Sequence, residues 1–139
     1  MKLIVIGKFQ FMYVRFVINE KDEDSQKRLG ILHAIRYLRD DGKLSSYEEE
    51  YMNEVVQWFA DNLKKPSRFS KDKRKNPAAK AISWFKDSAT EHISKMREIT
   101  TVLRSHGIQV DIIKTDRPGY IVYEDEFQVT AEPFNETET

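Results

Sequence analysis

The last third of the chain constrains the fold most. Ile108, Val110 and Ile112 alternate with Gln109 and Asp111, and Phe127, Val129 and Ala131 alternate with Gln128, Thr130 and Glu132. A period of two places one set on each face of a pleated strand. Tyr120 to Tyr123 lies between these runs, and Arg117-Pro118-Gly119-Tyr120 supplies turn chemistry. The pattern predicts an antiparallel three-strand meander from Ile108 to Phe134. Its first connection is a four-residue loop, Asp116 to Gly119, that registers Thr115 against Tyr120. If Ile108, Val110, Phe127 and Val129 face the helices, the opposite face carries Gln109, Asp111, Ile113, Gln128 and Thr130. Pro133 ends the last strand, and residues 135–139 are expected to form a frayed acidic tail.

The other end of the chain also reads as strand. Residues 2–18 are rich in Ile, Val, Phe and Tyr, with apolar side chains on both parities from Phe9 to Ile18. Such a strand is covered on both faces and sits near the centre of a sheet. Gly7-Lys8 marks either a bulge or a tight turn between two strands, and Asn19 to Asp24 reads as a charged loop.

Between these ends the period changes to that of helices. Ser25 is placed to cap a helix running to Asp41, with Leu29, Leu32, Ile35 and Leu38 on one face and Gly42 as its stop. A second helix begins at Ser45 or Ser46, where Glu48 and Glu49 give capping-box spacing, and buries Tyr51, Met52, Val55, Val56, Phe59 and Leu63. Asn76-Pro77 is a helix-start signal, and Ser88-Ala89-Thr90-Glu91 is another capping box. The helix after it carries Ile93, Met96, Thr100 and Leu103 and closes at His106-Gly107. Ala81 to Lys86 reads as a separate helix or as the start of this one. The expected order is β(β)-ααα-βββ, a single α+β domain over residues 1–134. Its mainly antiparallel sheet packs against three helices.

With 139 residues, 40% of them apolar, the chain can fill one core. The absence of cysteine excludes disulfides, thiolate metal sites and cysteine nucleophiles, and suits a cytoplasmic protein. The apolar run at Met1 to Lys8 is too short for a signal peptide. Lys8, Gln10 and Arg15 interrupt any membrane span, so no membrane association is expected.

The search for chemistry is mostly negative. The three histidines show neither H-E-x-x-H nor His-x-His spacing, so no metal site is expected. His92, preceded by Glu91, which is spaced i,i+4 from Asp87 on a helix, is the weak catalytic candidate. Asp111 and Lys114 point to opposite faces of a strand and cannot converge on one phosphate. The five glycines are isolated, which leaves no phosphate loop or dinucleotide fingerprint, and no cofactor is expected.

Two features favour binding. Net charge is zero, but Lys64, Lys65, Arg68, Lys71, Lys73, Arg74, Lys75 and Lys80 cluster around Phe69, while the chain after Arg117 has acids and no bases. Cations with an interleaved aromatic suit nucleic acid; the competing reading is a solvated loop. The outward face of the meander, with Tyr120 or Tyr123 beside aliphatic residues, suits a protein contact. The leading expectation is therefore a non-enzymatic binding or regulatory module that acts through a protein partner or self-association. Nucleic-acid binding through residues 64–80 is the alternative, and an enzyme built around His92 is the third reading.

Overall fold

The computed structural model describes residues 12–23, 26–66 and 81–139. Within them the chain forms three helices and a six-stranded antiparallel sheet, the expected α+β class. In chain order the elements are β1 (Tyr13–Lys21), β2 (Arg28–Gly30), α1 (Ile31–Asp40), α2 (Ser46–Asn62) and β3 (Ile82–Lys86). They continue with α3 (Thr90–Ser105), β4 (Val110–Thr115), β5 (Tyr120–Glu124) and β6 (Gln128–Glu132). No helix among the described residues is long and apolar enough to cross a membrane.

β1 organises the sheet. β4 lies along one edge of it, from Tyr13 opposite Thr115 to Ile18 opposite Val110. Its other edge is shared. β3 pairs near the start, Tyr13 with Lys86 and Val14 with Phe85, and β2 pairs further on, Val17 with Gly30 and Lys21 with Arg28. β3 continues the sheet to β6, and β6 to β5.

All three C-terminal strands form, but they are not a meander. β4 and β5 are separated by β1, β3 and β6, so Thr115 pairs with Tyr13 and not with Tyr120. Alternation marks a strand locally, whereas its neighbour is decided by which long-range edge can be covered. β1, apolar on both parities, takes the place beside β4.

The helical reading of Ala81 to Lys86 is also overturned, because β3 occupies Ile82–Lys86. Ile82 and Trp84 point to one face while Phe85 points to the other, an extended pattern of aromatic and β-branched residues. Asn76-Pro77 lies outside the described residues.

Local signals at the helix ends fare better. Ser45 caps α2 with both halves of the box: Glu48 N–H donates to Ser45 Oγ at 3.2 Å, and Ser45 N–H donates to Glu48 Oε1 at 3.0 Å. Gly42 (φ +68°) and Gly107 (φ +79°) follow the ends of α1 and α3 in the left-handed region. α1 starts later than Ser25 predicts, because Arg28–Gly30 is drawn into pairing with β1 and Gly30 becomes the N-cap. The box at Ser88 and Glu91 does not form; Ala89 is the N-cap of α3 and carries no capping side chain.

Both faces of the sheet are buried. On the helix side Val14, Phe16 and Ile18 pack with Ile31 and Ile35 of α1, Met52, Val55 and Phe59 of α2, and Met96, Ile99 and Leu103 of α3. On the second face Tyr13, Val17, Trp84, Ile113 and Val129 form a smaller cluster. The expected facing of the last strand is thus reversed. Val129 belongs to the second face, while Thr130 lies with Ser83 on the helix side, their hydroxyls 2.8 Å apart. Pairing with β3, which was not foreseen as a strand, fixes that parity.

The chain end is tied to the second face by Arg28. Its guanidinium donates to Asp111 Oδ2 at 3.0 Å, to Glu138 Oε2 at 3.2 Å and to the Thr139 carbonyl at 2.8 Å. Gly119 (φ +135°) packs so tightly on the end of β6 that an added Cβ would run into the Glu132 carbonyl.

Candidate ligand-binding cleft

The shared edge of β1 has a gap. β3 leaves it after Val14, and β2 joins it only at Val17, so Arg15 and Phe16 face neither strand on that side. The gap opens a cleft of about 400 Å³. Among the described residues its floor is Val14, Arg15 and Phe16; one wall runs from Arg28 through Gly30 into the first turn of α1, and the other is Ile82 to Phe85. Leu63, Met96 and Gln128 complete the helix-side end. The lining is mainly aliphatic and aromatic.

Two buried donors stand out against it. Arg15 is 8% exposed, and its Nη2 donates to the Arg28 carbonyl at 2.9 Å. Its Nη1 has no hydrogen-bond partner among the described residues. Burial, together with the like charge of Arg28, pulls its pKa down to about 10, which leaves the guanidinium charged at neutral pH. Trp84 is 1% exposed, and its indole N–H is likewise without an acceptor among the described residues. The guanidinium carbon lies 5.5 Å from the Trp84 ring centre. Each unmade bond costs roughly 1–3 kcal/mol, and more when the group is charged.

The backbone adds to this polarity. Gly30, Ile31, Leu32 and His33 bring the N-terminus of α1 to the cleft, with no side-chain cap and no acid in its first turn. Free amides at a helix start carry partial positive charge.

His92 has a different environment. It is 4% exposed, and its Nε2–H donates to the Asn62 carbonyl at 2.8 Å. That bond satisfies one of the orphan carbonyls at the end of α2. The ring packs at 4.4 Å from Phe127 and 4.8 Å from Trp58, with Phe59 and Phe85 just beyond. Asp87 and Glu91 are exposed, and among the described residues neither shares the His92 hydrogen bond. The described residues also contain no group of three His, Asp or Glu side chains placed to hold a metal ion.

Of the basic segment, Lys64 and Lys65 are exposed just beyond α2, and the Lys64 carbonyl accepts from Gln128 Nε2 at 2.7 Å. Arg68, Phe69, Lys71, Lys73, Arg74, Lys75 and Lys80 lie outside the described residues. Tyr120 and Tyr123, which a regular strand would send to opposite faces, pair with Glu132 and Thr130 and so share one. A register shift between Ile121 and Tyr123 brings this about. Tyr120 is 44% exposed, and the Tyr123 hydroxyl donates to Asp125 Oδ2 at 2.7 Å.

Sequence reasoning took Arg15 only as a break in any membrane span and Trp84 only as an aromatic following the basic segment, and brought neither to a cleft. The signal was a lone cation inside a strand apolar on both parities, where no face is left for it in water. No protein-family model, no curated protein and no solved structure matches the chain, so nothing about function is carried over from a relative.

Proposed function

We propose that this domain is a non-catalytic binding module of the cytoplasm, which holds a small, largely apolar ligand in the cleft between β2 and β3 and thereby regulates a protein partner. The observation that supports it is the gap itself: a cleft of about 400 Å³ inside a sheet whose two faces are otherwise buried. That volume falls in the range of small-molecule sites, about 300–1,000 Å³, which combine apolar walls with a few polar groups.

The test is titration with a neutral naphthalene fluorophore, followed by its own emission and by quenching of Trp84. One saturable site is expected in the wild type. It should be lost in Leu32→Trp, which fills the half-buried rim of the cleft. Absence of binding, or equal binding to a folded Leu32→Trp variant, would overturn the reading.

A second reading rests on the tyrosine pair. The shifted register gives Tyr120 and Tyr123 a common face, which suits a protein contact or self-association. Sedimentation across a concentration series tests the latter: a dimer that Tyr120→Ser dissociates supports it, and a strict monomer counts against it.

A further inference from the structure

We infer that the ligand of this cleft is a small apolar monocarboxylic acid, its carboxylate lying against Arg15 Nη1 and the indole N–H of Trp84. The inference rests on the reading of the cleft as a ligand site and adds the chemical class of the ligand.

Both residues are more than nine-tenths buried and line the same cleft; Nη1 and the indole nitrogen are closed off from water and lack acceptors among the described residues, so a ligand reaches them as the side chains over them move aside. With the guanidinium carbon 5.5 Å from the Trp84 ring centre, they are neighbours. A guanidinium matches a carboxylate in shape and charge. Here Nη2 is already committed to the Arg28 carbonyl, so Arg15 offers one nitrogen. One carboxylate oxygen takes that nitrogen, and the other takes the indole N–H.

The pairing of the wall's charges bears on the valence. Arg28 lines the cleft but is matched by Asp111 and Glu138. Lys27 and Asp22 are of opposite sign and adjoin across the β1–β2 turn, where Asp22 N–H donates to the Lys27 carbonyl at 2.8 Å. Arg15 itself has no carboxylate partner among the described residues; its one hydrogen bond there is to a neutral carbonyl. The uncapped α1 N-terminus favours the same sign of ligand. A monoanion pairs with the single free Arg15 nitrogen, whereas a phosphate dianion would bring a second charge into an apolar site. Ile82 on the second face and, across the gap in the sheet, Phe16, Phe85 and Met96 on the helix side are left to hold the rest of the molecule.

Calorimetric titration of the full chain at pH 7 separates the classes, with decanoate, decanol and decyl phosphate each below its micelle concentration. Decanoate should bind about tenfold to a hundredfold tighter than decanol, the range for a charged hydrogen bond made in place of none, with decyl phosphate no tighter than the alcohol. Arg15→Met should bring decanoate down to the alcohol's affinity and leave decanol unchanged. Trp84→Phe, which keeps a smaller aromatic ring and removes the donor, should weaken decanoate several-fold and decanol much less. Equal affinity for acid and alcohol would overturn the carboxylate and leave the cleft reading intact, as would a phosphate that binds tightest. If none of the three binds and the neutral fluorophore also fails, the cleft reading falls with it.

Discussion

His92 and Arg15 are buried to a similar extent, 4% and 8% exposed, and each makes one side-chain hydrogen bond to a backbone carbonyl. The Nε2–H of His92 is then used, and aromatic side chains pack around the ring at 4.4 to 6.1 Å. Arg15 has further donors, and at least Nη1 goes unused among the described residues, in a residue that lines a cleft. Burial depth therefore does not distinguish a structural polar group from a binding one. What distinguishes them is whether the donors are used up, and what lies next to the one that is not.

The contrast fixes the sign and size of substitutions. The largest effect is expected for His92→Ala, which empties a site among four aromatic rings and strands the Asn62 carbonyl; it should cost about 3–4 kcal/mol in urea unfolding. Arg15→Met should go the other way. Removing an incompletely paired buried charge and replacing it with an apolar side chain of similar length is expected to stabilise the unliganded domain by roughly 1–3 kcal/mol. A loss as large as that of His92→Ala would mean that Arg15 is structural after all. Trp84→Phe should change stability by less than about 1 kcal/mol, because the smaller ring loses contacts while an unpaired donor disappears.

Asp125 sharpens the comparison at the small end. Partial burial pushes its pKa up, but the Tyr123 hydroxyl, the Phe127 and Gln128 amides and the Gln128 side chain outweigh this and hold it below the ordinary carboxylate value. A carboxyl depressed in the folded state contributes stability above its unfolded pKa, about 3.9, and loses it as pH falls through the lower folded value. Stability should therefore decline below about pH 4. In Asp125→Asn that part of the decline should be missing, which acid titration followed by circular dichroism checks.

How much of this was legible follows from the range of each signal. Ser45 with Glu48, and the glycines at 42 and 107, act within a turn of chain, and the structure uses them as read. β3 was not legible because Ile82 to Lys86 is five residues long and earns its strand only through partners in β1 and β6. The placement of β4 failed for the same reason, since alternation gives a strand its faces but not its neighbours. The tyrosine pair needed a register shift that no spacing announces. Arg15 was visible in principle, as the one cation in a six-residue stretch, Tyr13 to Ile18, that is buried throughout. Its meaning came only from the gap beside it, made by two strands far apart in sequence.

The most direct measurement is urea unfolding of the wild type and Arg15→Met, each with and without decanoate at about a hundred times its dissociation constant for the wild type. Without acid, Arg15→Met should be the more stable. With acid, the wild type should gain about 2.7 kcal/mol from ligand binding and the variant much less, so that the gap between them closes or reverses. If Arg15→Met is the less stable protein in both conditions, and by the same margin, Arg15 belongs to the scaffold and the cleft is not built around its charge.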